Sequence, residues 1–263
     1  MKLSIITIVL NDKQNIEKTI LSVLNQKDVD LEYIVIDGGS TDGTLKIIEK
    51  YKDKIDVLIS EKDNGIVDAF NKGLKIANGD VVGIVNSDDW LEPDVLTTIM
   101  QAFEKTRADI VYGDALYWKS NVSEYRYKAN HTLLKEFMSI NHPAVFVKKK
   151  IYERYGLFDE TFKIAMDYEL MLRFFVNGVK FMYIDKVLSN MALGGVSDVN
   201  WRLAYKEAYE IRKKYLGSSL GLYINYIFQV LKKSVSNLLV KMGLESLREF
   251  YKKHFSKIKK VKS

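Results

Sequence analysis

The sequence contains no cysteine, only two prolines and only three histidines among 263 residues. Without cysteine the chain can form no disulfide, no thiolate zinc site and no cysteine nucleophile. The histidines, His131, His142 and His254, are too few to favour a polyhistidine metal centre. Two prolines and 15 glycines also exclude long linkers rich in those residues. Any catalysis must therefore depend on carboxylates.

Long apolar runs are missing as well, because no stretch reaches the ~18 to 20 apolar residues needed to cross a bilayer. The first apolar run, residues 3–10, ends at Asn11-Asp12 without a small-residue cleavage site. It therefore predicts a buried strand and not a signal peptide. Together with the lack of cysteine, which fits a reducing compartment, this favours a cytoplasmic protein.

The overall composition is that of a globular protein, with 47% hydrophobic, 12% aromatic and 28% charged residues. That balance excludes a disordered chain, and the length suffices for one large domain or two small ones. The charge is unevenly distributed. Residues 203–263 carry 14 Lys/Arg against 4 Asp/Glu, whereas the first 202 residues carry 26 against 30. Such a basic tail is typical of contact with an anionic surface, either a membrane or a nucleic acid.

Strands and helices alternate in the first hundred residues. Apolar β-branched runs predict strands at 3–10, 33–37, 55–60 and 81–85, and helical patterns follow them at about 15–26, 42–51, 66–77 and 93–105. Strands separated by helices predict right-handed crossovers and a mostly parallel sheet with helices on both faces. Ligands of such sheets bind beyond the carboxyl ends of the strands.

After residue 107 the pattern changes to a mixed one. Short strands are predicted at 109–118, 144–147, 180–184 and 187–192, helices near 149–155 and 167–177, and amphipathic helix beyond Trp201. We therefore expect one domain over 1–202, built from halves at about 1–107 and 108–202. A helical, amphipathic and basic region over 203–263 follows it.

Polar clusters follow all four of the first predicted strands. They are Asn11-Asp12, Asp37-Gly38-Gly39-Ser40, Glu61-Lys62-Asp63-Asn64-Gly65 and Asn86-Ser87-Asp88-Asp89. Because the carboxyl ends of parallel strands share one edge of the sheet, these clusters predict a ligand site at that edge.

The second cluster lies at a strand-to-helix turn. Its glycines let backbone amides approach a ligand, and a carboxylate at the strand end can accept a hydrogen bond from a pyrimidine ring N–H. A plain capped turn would use the same residue types, so that alternative stays open. The segment is neither Gly-x-Gly-x-x-Gly nor a Walker loop, which argues against standard dinucleotide and ATP sites.

The fourth cluster holds two adjacent carboxylates, Asp88 and Asp89. Carboxylates at a strand end suit Mg²⁺ or Mn²⁺, which prefer oxygen ligands and accept phosphate oxygens in the same shell. The alternative is capping of the helix that begins near Pro93, and Asp89 alone could fill that role. For Asp88 we favour the metal.

Five motifs occur in a fixed order along the chain. They are Thr7-Ile8-Val9-Leu10-Asn11, Asp37-Gly38-Gly39-Ser40-Thr41-Asp42-Gly43-Thr44, Asp63-Asn64-Gly65 through Asn71-Lys72-Gly73, Ala77-Asn78-Gly79-Asp80 and Asn86-Ser87-Asp88-Asp89. In this order and spacing, residues 3 to about 197 resemble glycosyltransferase family 2, inverting GT-A enzymes that use nucleotide-diphosphate sugars. The resemblance implies an α/β protein with a Rossmann-like, mostly parallel central sheet flanked by helices.

The resemblance also implies a donor site at the sheet edge. Asp37 would face the base, and Asp68 would lie near the ribose or the donor sugar. Asn86 replaces the first carboxylate of the family's metal-binding Asp-x-Asp motif, which leaves Asp88 as the main ligand for Mn²⁺ or Mg²⁺. The residues expected to bind the nucleotide-sugar are Thr7, Val9, Asn11, Asp37, Gly38, Asp63, Asn64, Gly65, Asp68, Asn71, Asn86 and Ser87.

A later segment, Ala165 to Arg173, resembles the family's acidic motif at a helix start. The resemblance implies that Asp167 is the catalytic base, since inverting transfer needs a carboxylate that removes a proton from the acceptor hydroxyl. Met166 stands where many relatives have Glu, and an N-terminal cap is the alternative role for Asp167. Glu169 and Arg173, spaced i, i+4, are expected to pair on the helix surface.

Contacts to the acceptor or the diphosphate are expected from His142, Gly194, Gly195 and Ser197. His142 precedes an apolar strand where relatives often place a polar residue, although a lone histidine is more often structural. The segment Gly194 to Ser197 can cradle a diphosphate through backbone amides or serve as a flexible connector.

These inferences predict an inverting, metal-dependent transfer of one sugar from a nucleotide-diphosphate sugar, with a UDP-sugar favoured. The resemblance implies a lipid-linked or cell-surface glycan as the acceptor, such as lipopolysaccharide or capsule. Trp201-Arg202 does not complete the Gln-x-x-Arg-Trp signature of processive relatives, which favours a single transfer. One alternative is a sugar-nucleotide-forming nucleotidyltransferase, but its Gly-rich basic loop after the first strand is missing. Another is a nucleic-acid-binding protein, which would leave the acidic clusters unexplained.

The basic tail alternates aromatic and aliphatic residues with lysines, so we expect it to lie at the inner face of the cytoplasmic membrane. The residues concerned are Leu222, Tyr223, Ile224, Tyr226, Ile227, Phe228, Lys232 and Lys233, then Leu247, Arg248, Phe250, Tyr251, Lys252, Lys253, Phe255 and Lys257. Docking onto the catalytic body or onto a second subunit is the alternative, and a homo-oligomer stays open. No nucleic-acid partner is expected.

Overall fold

The computed structural model describes residues 1–119, 121–195, 199–243 and 260–261. Its strands are β1 (Leu3–Val9), β2 (Leu31–Asp37), β3 (Val57–Ser60), β4 (Val81–Ile84), β5 (Trp90–Leu91), β6 (Ile110–Lys119), β7 (Val122–Tyr127), β8 (Val145–Lys148), β9 (Phe181–Ala192) and β10 (Lys260–Val261). Its α-helices are α1 (Ile16–Leu24), α2 (Thr44–Glu49), α3 (Ile66–Ile76), α4 (Val95–Lys105), α5 (Lys149–Tyr155), α6 (Met166–Val176), α7 (Trp201–Leu216) and α8 (Leu220–Lys241).

The parallel part of the sheet has the order β4-β1-β2-β3, as the alternation of strands and helices predicts. Val9 pairs with Asp37, and Asp37 pairs with Ser60, so these strands end at the same level. We call this end the carboxyl edge. The register brings the first polar clusters of the sequence to one side of the molecule.

The strands form because their apolar residues bury both faces of the sheet. All seven residues of β1 are buried. Ile6 belongs to the cluster that contains Phe70 of α3, whereas Ile5 belongs to the cluster that contains Ile20 of α1. On the first face, a Cβ at Gly73 would lie 2.5 Å from Ile6, so only glycine lets α3 approach β1 this closely.

The second half adds antiparallel strands to the same sheet, which confirms the expected mixed half. β8 runs antiparallel to β4, and β6 pairs with β7, β8 and β9. Two strands were expected at 180–184 and 187–192, but β9 is continuous and shifts its register opposite Asp114. The short strand β5 was not expected because its pairing with the distant β9 leaves no local signal.

Helix α4 begins two positions later than the sequence pattern predicts. Asp94, not Pro93, directly precedes the helix, and its φ of 57° lies in the left-handed region. Trp90 and Leu91 are held extended by pairing with β9, so the helix cannot start before the chain has turned away from that strand.

The helical prediction beyond residue 201 holds through α7 and α8. Ile211 of α7 is fully buried in the core that contains α6 residues, so α7 packs as part of the same domain as the sheet. The tail residues Leu247, Arg248, Phe250, Tyr251, Lys252, Lys253, Phe255 and Lys257 lie outside the described residues. Among the helices in the described ranges, none is both long enough and apolar enough to cross a membrane.

Candidate active site

Asp37 anchors the carboxyl edge at the end of β2. Its side chain is fully buried. The backbone N–H of Ser40 lies 3.2 Å from each carboxylate oxygen, and the Ser60 hydroxyl donates to Oδ2 at 2.6 Å. The carboxylate therefore joins the ends of β2 and β3 and fixes the glycine turn that follows it.

Asn11 connects the loop after β1 to that same turn. Its φ of 53° is in the left-handed region, which asparagine tolerates better than most residues. Its N–H donates to the Ser40 hydroxyl at 2.8 Å, and its Oδ1 accepts from the N–H of Thr41 at 2.8 Å. The loops after β1 and β2 thus form one rigid unit.

The turn after β3 approaches the glycine turn closely. A Cβ at Gly38 would lie 2.3 Å from Asp63 Oδ2, so the absence of a side chain at Gly38 is what admits Asp63. Asp63 Oδ1 accepts from the N–H of Gly65 at 3.0 Å, and Asp68 accepts from the N–H of Asn64 at 2.9 Å. The sequence-predicted residues Gly38, Asp63, Asn64 and Gly65 therefore meet at one place.

Asp68 is held ionised at the start of α3. The N–H of Asn64 is the main cause that lowers its pKa, and Lys72, 3.3 Å away, adds to the effect. Lys72 also pairs with Glu61 at 2.8 Å. The result is a fixed group of charges beside the turn.

The loop after β4 is tied to α1 and to Asp12. The Thr19 hydroxyl donates to the carbonyl oxygens of Ser87 and Asp89, each at 2.6 Å. The Ser87 hydroxyl donates to Asp12 Oδ2 at 2.8 Å, and the Asn86 amide donates to Asp89 Oδ2 at 3.0 Å. Asp89 is buried by these contacts and lies well before α4, so it does not cap that helix.

Asp88 is the half-buried carboxylate of this loop. Burial is the main cause that raises its pKa, and the negative charge of Asp12 raises it further. Two carboxylates that repel each other at the edge of a sheet are stabilised by a cation between them.

The residues present fit a divalent ion that is bound jointly with a diphosphate. Asp88 would be its carboxylate ligand, with Asp12 close by, and Asn86 contributes a buried Oδ1 that has no hydrogen-bond partner. Within the described ranges, no group of three or more His, Cys, Asp or Glu side chains could hold a metal unaided. Mg²⁺ is commonly bound by one or two carboxylates plus substrate phosphates, and this set matches that arrangement.

Asp167 lies in the first turn of α6. Its Oδ1 accepts from the N–H of Tyr168 at 2.7 Å. Burial is the main cause that raises its pKa to about 6, and the negative charge of Glu207 adds to the rise. Its neighbour Met166 packs in the same core cluster as Val67 and Phe70 of α3, the helix that begins at the carboxyl edge. A carboxyl group with this pKa is suited to take a proton near neutral pH.

Besides Asp37 and Gly38, three more of the residues expected to bind the donor lie inside the protein. Thr7 is fully buried and accepts from the Tyr33 hydroxyl at 3.1 Å, and Val9 is a core residue. Asn71 is also buried. Its amide makes two hydrogen bonds, both of 3.0 Å, to the backbone of Phe158. These side chains support the walls of the edge and are not exposed on it.

His142 lies beside the carboxyl end of β4, because the antiparallel pairing of Gly83 with Phe146 carries the residues before β8 to that end. The ring packs against Phe70 and Phe158 at centroid distances of 5.7 and 5.5 Å. Burial lowers the pKa of His142 to about 4, so the ring is neutral at physiological pH.

Gly194 and Gly195 follow β9 in an exposed turn. A Cβ at either position would meet nothing within 4 Å, so neither glycine is needed for close packing. Ser197 lies outside the described residues.

Glu169 and Arg173 form the expected pair at 2.8 Å, but they are not on the helix surface. Glu169 is 1% exposed, because α7 covers this face and the Tyr215 hydroxyl donates to its carboxylate. The i, i+4 spacing shows that two side chains can meet and does not show whether another helix covers them.

Sequence reasoning missed Glu207 of α7. Both of its carboxylate oxygens accept hydrogen bonds from the backbone just before Asp167. The sequence did contain a signal. Glu207 lies four positions before Ile211 and eight before Tyr215, a helical spacing that puts this acidic residue on the apolar face of an amphipathic helix.

Comparison with known proteins identifies a family. The model of Glycosyl transferase family 2 matches residues 4–175. Chondroitin synthase of Pasteurella multocida (strain Pm70) is 32% identical over 192 residues, which cover 68% of this chain and 19% of that protein. The PGL/p-HBAD biosynthesis glycosyltransferase of Mycobacterium bovis (strain BCG / Pasteur 1173P2) is 27% identical over 205 residues, which cover 74% of this chain and 78% of that one. The chain thus spans about a fifth of the synthase.

Solved structures share the fold. Staphylococcus aureus TarS 1–349 in complex with UDP-GlcNAc gives a TM-score of 0.64 at 20% identity, covering 80% of this chain and 66% of that one. Mannosyltransferase PcManGT from Pyrobaculum calidifontis, in complex with GDP-Man and Mn²⁺, gives 0.64 at 18% identity, covering 82% and 64%. These likenesses confirm the GT-A fold.

Proposed function

The chain belongs to glycosyl transferase family 2, and from that premise we propose that it transfers one sugar from a nucleotide-diphosphate sugar to a hydroxyl group of a glycan acceptor, with inversion at the anomeric carbon. The observation that carries the proposal is the hydrogen-bonded carboxyl edge, where Asn11, Asp37 and Asp63 form one unit. Family membership favours this reaction over nucleotidyl transfer.

The nucleoside end of the donor would bind against the turn after β2. Asp37 is fully buried and accepts from Ser40 and Ser60 at a strand end, so it would act by fixing the glycine turn against which the base binds. A UDP-sugar is the favoured donor, because TarS, which shares this fold, was solved in complex with UDP-GlcNAc. TarS in complex with UDP-GlcNAc and PcManGT in complex with GDP-Man share this fold, so a GDP-sugar is the second candidate donor.

Asp88 would hold Mn²⁺ or Mg²⁺ together with the diphosphate oxygens of the donor. When bound, the metal supplies positive charge that stabilises the leaving nucleoside diphosphate. Ser87 and Thr19 keep the Asp88 loop in place through the hydrogen bonds described above.

Asp167 would act as the base. Its carboxylate accepts the proton of the acceptor hydroxyl while the acceptor oxygen bonds to the anomeric carbon and the bond from that carbon to the diphosphate oxygen breaks. A pKa of about 6 leaves most of the carboxylate ionised at neutral pH, yet basic enough to take the proton.

The acceptor would reach Asp167 from the second half of the domain. A cavity of about 390 Å³ is lined there by Tyr112, Tyr127, His131 and Tyr183. Leu133 also lines it, and the carbonyl of the next residue, Leu134, accepts from the hydroxyl of Tyr168, the residue that follows Asp167 in α6. Aromatic walls with a few polar groups suit a sugar ring.

A lipid-linked or surface-glycan acceptor would bring the enzyme to a membrane through α8. Ile224, Phe228 and Leu231 are each more than half exposed and follow helical spacing along one face. Residues 220–241 include three lysines and no acidic residue, which favours anionic headgroups.

A ligand screen tests the proposal directly. The melting temperature is measured with UDP-, GDP- and dTDP-sugars, each with and without Mn²⁺. We expect a rise with one class of donor that is larger when Mn²⁺ is present, because ligands that bind only the folded state stabilise it. No rise with any nucleotide-sugar would contradict the donor site.

A further inference from the structure

We infer that Glu207 of α7 is a positioning residue for catalysis, because it fixes the backbone that carries Asp167. The inference rests on the proposed role of Asp167 as the base. The family model ends at residue 175, before α7 begins, so the match assigns no role to this helix.

Glu207 binds three consecutive backbone N–H groups. Oε1 accepts from Lys163 at 2.8 Å, and Oε2 accepts from Ile164 at 2.9 Å and from Ala165 at 2.8 Å. Ala165 is the N-cap residue of α6, two positions before Asp167. One side chain thus fixes the three residues that lead into α6, the helix that carries the proposed base.

The contact is strong for physical reasons. Hydrogen bonds from backbone N–H groups to an ionised carboxylate are roughly twice as strong as neutral ones. Glu207 is only 7% exposed, so water competes little with them. A negative charge at the N-terminus of α6 also complements the dipole of that helix.

Helix α7 is itself firmly attached to the body. Ile211 is fully buried, Arg212 donates to the carbonyl of Glu136 at 2.9 Å, and Tyr215 donates to Glu169 of α6. Lys214 pairs with Asp159 at 2.9 Å. Glu207 therefore acts from a fixed support, and the segment it holds has little freedom to move relative to the sheet.

Glu207 also acts on the base through its charge. The charged groups around the start of α6 are Glu169 and Arg173 in α6 itself and Glu207, Arg212 and Lys214 from α7. Of these, Glu207 is the one whose charge shifts the pKa of Asp167, and it shifts it upward, in the same direction as burial. Removal of that charge should therefore lower the pKa of the base.

The test is Glu207→Gln in the full chain, with the pH dependence of kcat and the donor Kd as readouts. Glutamine has one acceptor oxygen for three donors and presents an NH₂ group to them. We expect kcat to fall on the order of 10- to 100-fold, because small displacements of a catalytic group cost that much. The acidic limb of the profile should move to lower pH, and the donor Kd should change less than about twofold.

Two further variants make the test specific. Glu210→Gln removes a charge from the same helix at an exposed position, where Glu210 pairs with Lys213 at 3.8 Å, and should leave both readouts unchanged. Glu207→Asp keeps the charge but shortens the side chain, so kcat should fall while the acidic limb stays in place.

Each remaining outcome is decisive. Wild-type kcat and an unshifted limb in Glu207→Gln would overturn the inference. If Glu207→Gln and Glu207→Asp both fail to melt cooperatively or to bind the donor, Glu207 serves the fold alone, and the positioning role is wrong. Full activity in Asp167→Asn would show that Asp167 is not the base. That result would contradict the proposed function itself, whereas the Glu207 variants test only the positioning role.

Discussion

Asp88 is a half-buried carboxylate at the carboxyl edge, and burial and the negative charge of Asp12 both raise its pKa. Burial adds to the cost of ionising Asp88, so the arrangement favours a bound cation over an isolated carboxylate. The charge at this residue is therefore expected to matter for the reaction more than for the stability of the fold.

Removal of the Asp88 carboxylate should abolish metal-dependent transfer. We expect Asp88→Ala to lower kcat by at least about 100-fold, since loss of one group that stabilises developing charge has that effect. The measurement is release of nucleoside diphosphate with Mn²⁺ present. Asp53→Ala removes an exposed carboxylate elsewhere and should retain full activity. Full activity in Asp88→Ala would reject the metal assignment.

Asp167→Asn should separate binding from chemistry. The amide cannot accept the proton of the acceptor, so kcat should fall by about 10²- to 10⁴-fold, the usual contribution of a positioned base. The donor binds elsewhere and should retain its Kd, measured by calorimetry. Loss of donor binding together with kcat would show that Asp167 is a structural cap.

The pH dependence follows from the same residue. The pKa of Asp167 is raised to about 6, and only the ionised form accepts a proton. As the pH falls through 6 the carboxylate is protonated, so kcat should be level above that pH and fall about tenfold per pH unit well below it. A profile that stays flat down to pH 4.5 would contradict this assignment.

Single residues also show which features of the site can be predicted from the sequence. Asn11 follows β1 and Asp37 is the last residue of β2, so their place at the edge was predictable from strand order alone. Thr7 and Asn71 were included through resemblance, and the structure buries both side chains in hydrogen bonds within the protein. A motif gives the position along the chain, whereas the direction of a side chain depends on the neighbours that pack around it.

At the scale of elements, α7 and α8 differ although the sequence gives both an amphipathic pattern. Helix α7 buries its apolar face on α6, whereas α8 keeps large apolar residues exposed. The pattern predicts two helices and an apolar face on each. It cannot predict which face is covered, because that depends on contacts with residues 30 to 50 positions away, such as Lys163 and Glu169.

The exposed face of α8 should bind anionic vesicles. We expect the triple variant Ile224→Ser, Phe228→Ser and Leu231→Ser to weaken co-sedimentation with phosphatidylglycerol-containing vesicles by at least tenfold, since each buried side chain contributes about 1.5–3 kcal/mol.

The matched control for this test is Val122→Ser, which removes an exposed apolar side chain from β7. It should bind vesicles as the wild type does. Equal vesicle binding by the triple variant would contradict the membrane role, and a lower oligomeric state in the variant than in the wild type would show that α8 contacts a second copy.

At the scale of the whole molecule, the proposed donor edge and the proposed base on α6 lie within the family match, and a helical pair follows it. Deletion of residues 218–263 keeps α7 and Glu207, so the truncated protein should retain transfer to a soluble acceptor. Its vesicle binding should be lost. A melting scan first establishes whether the truncated protein is folded, and activity is then assayed on an unheated sample. Loss of cooperative melting would mean that residues 218–263 belong to the core.

The sheet order and the edge were predictable because parallel strands linked by helices leave few arrangements. The continuous β9 and the short β5 were not, because their pairing joins residues about 100 positions apart, as in Trp90 with Asn190. Glu207 was missed for a similar reason, because its partners Lys163 to Ala165 lie 42 to 44 positions earlier in the chain. Elements that depend on local sequence patterns were predictable, and contacts between residues far apart in the sequence were not.

The central claim is that the carboxyl edge holds a nucleoside diphosphate through a divalent ion at Asp88. Calorimetric titration of UDP into the wild type and into Asp88→Asn, each with and without Mn²⁺, tests it most directly. The account predicts that Mn²⁺ tightens UDP binding to the wild type by at least about tenfold, a difference of about 1.4 kcal/mol, and has no effect on the variant. Equal affinities in all four titrations, or the same Mn²⁺ effect in both proteins, would contradict it.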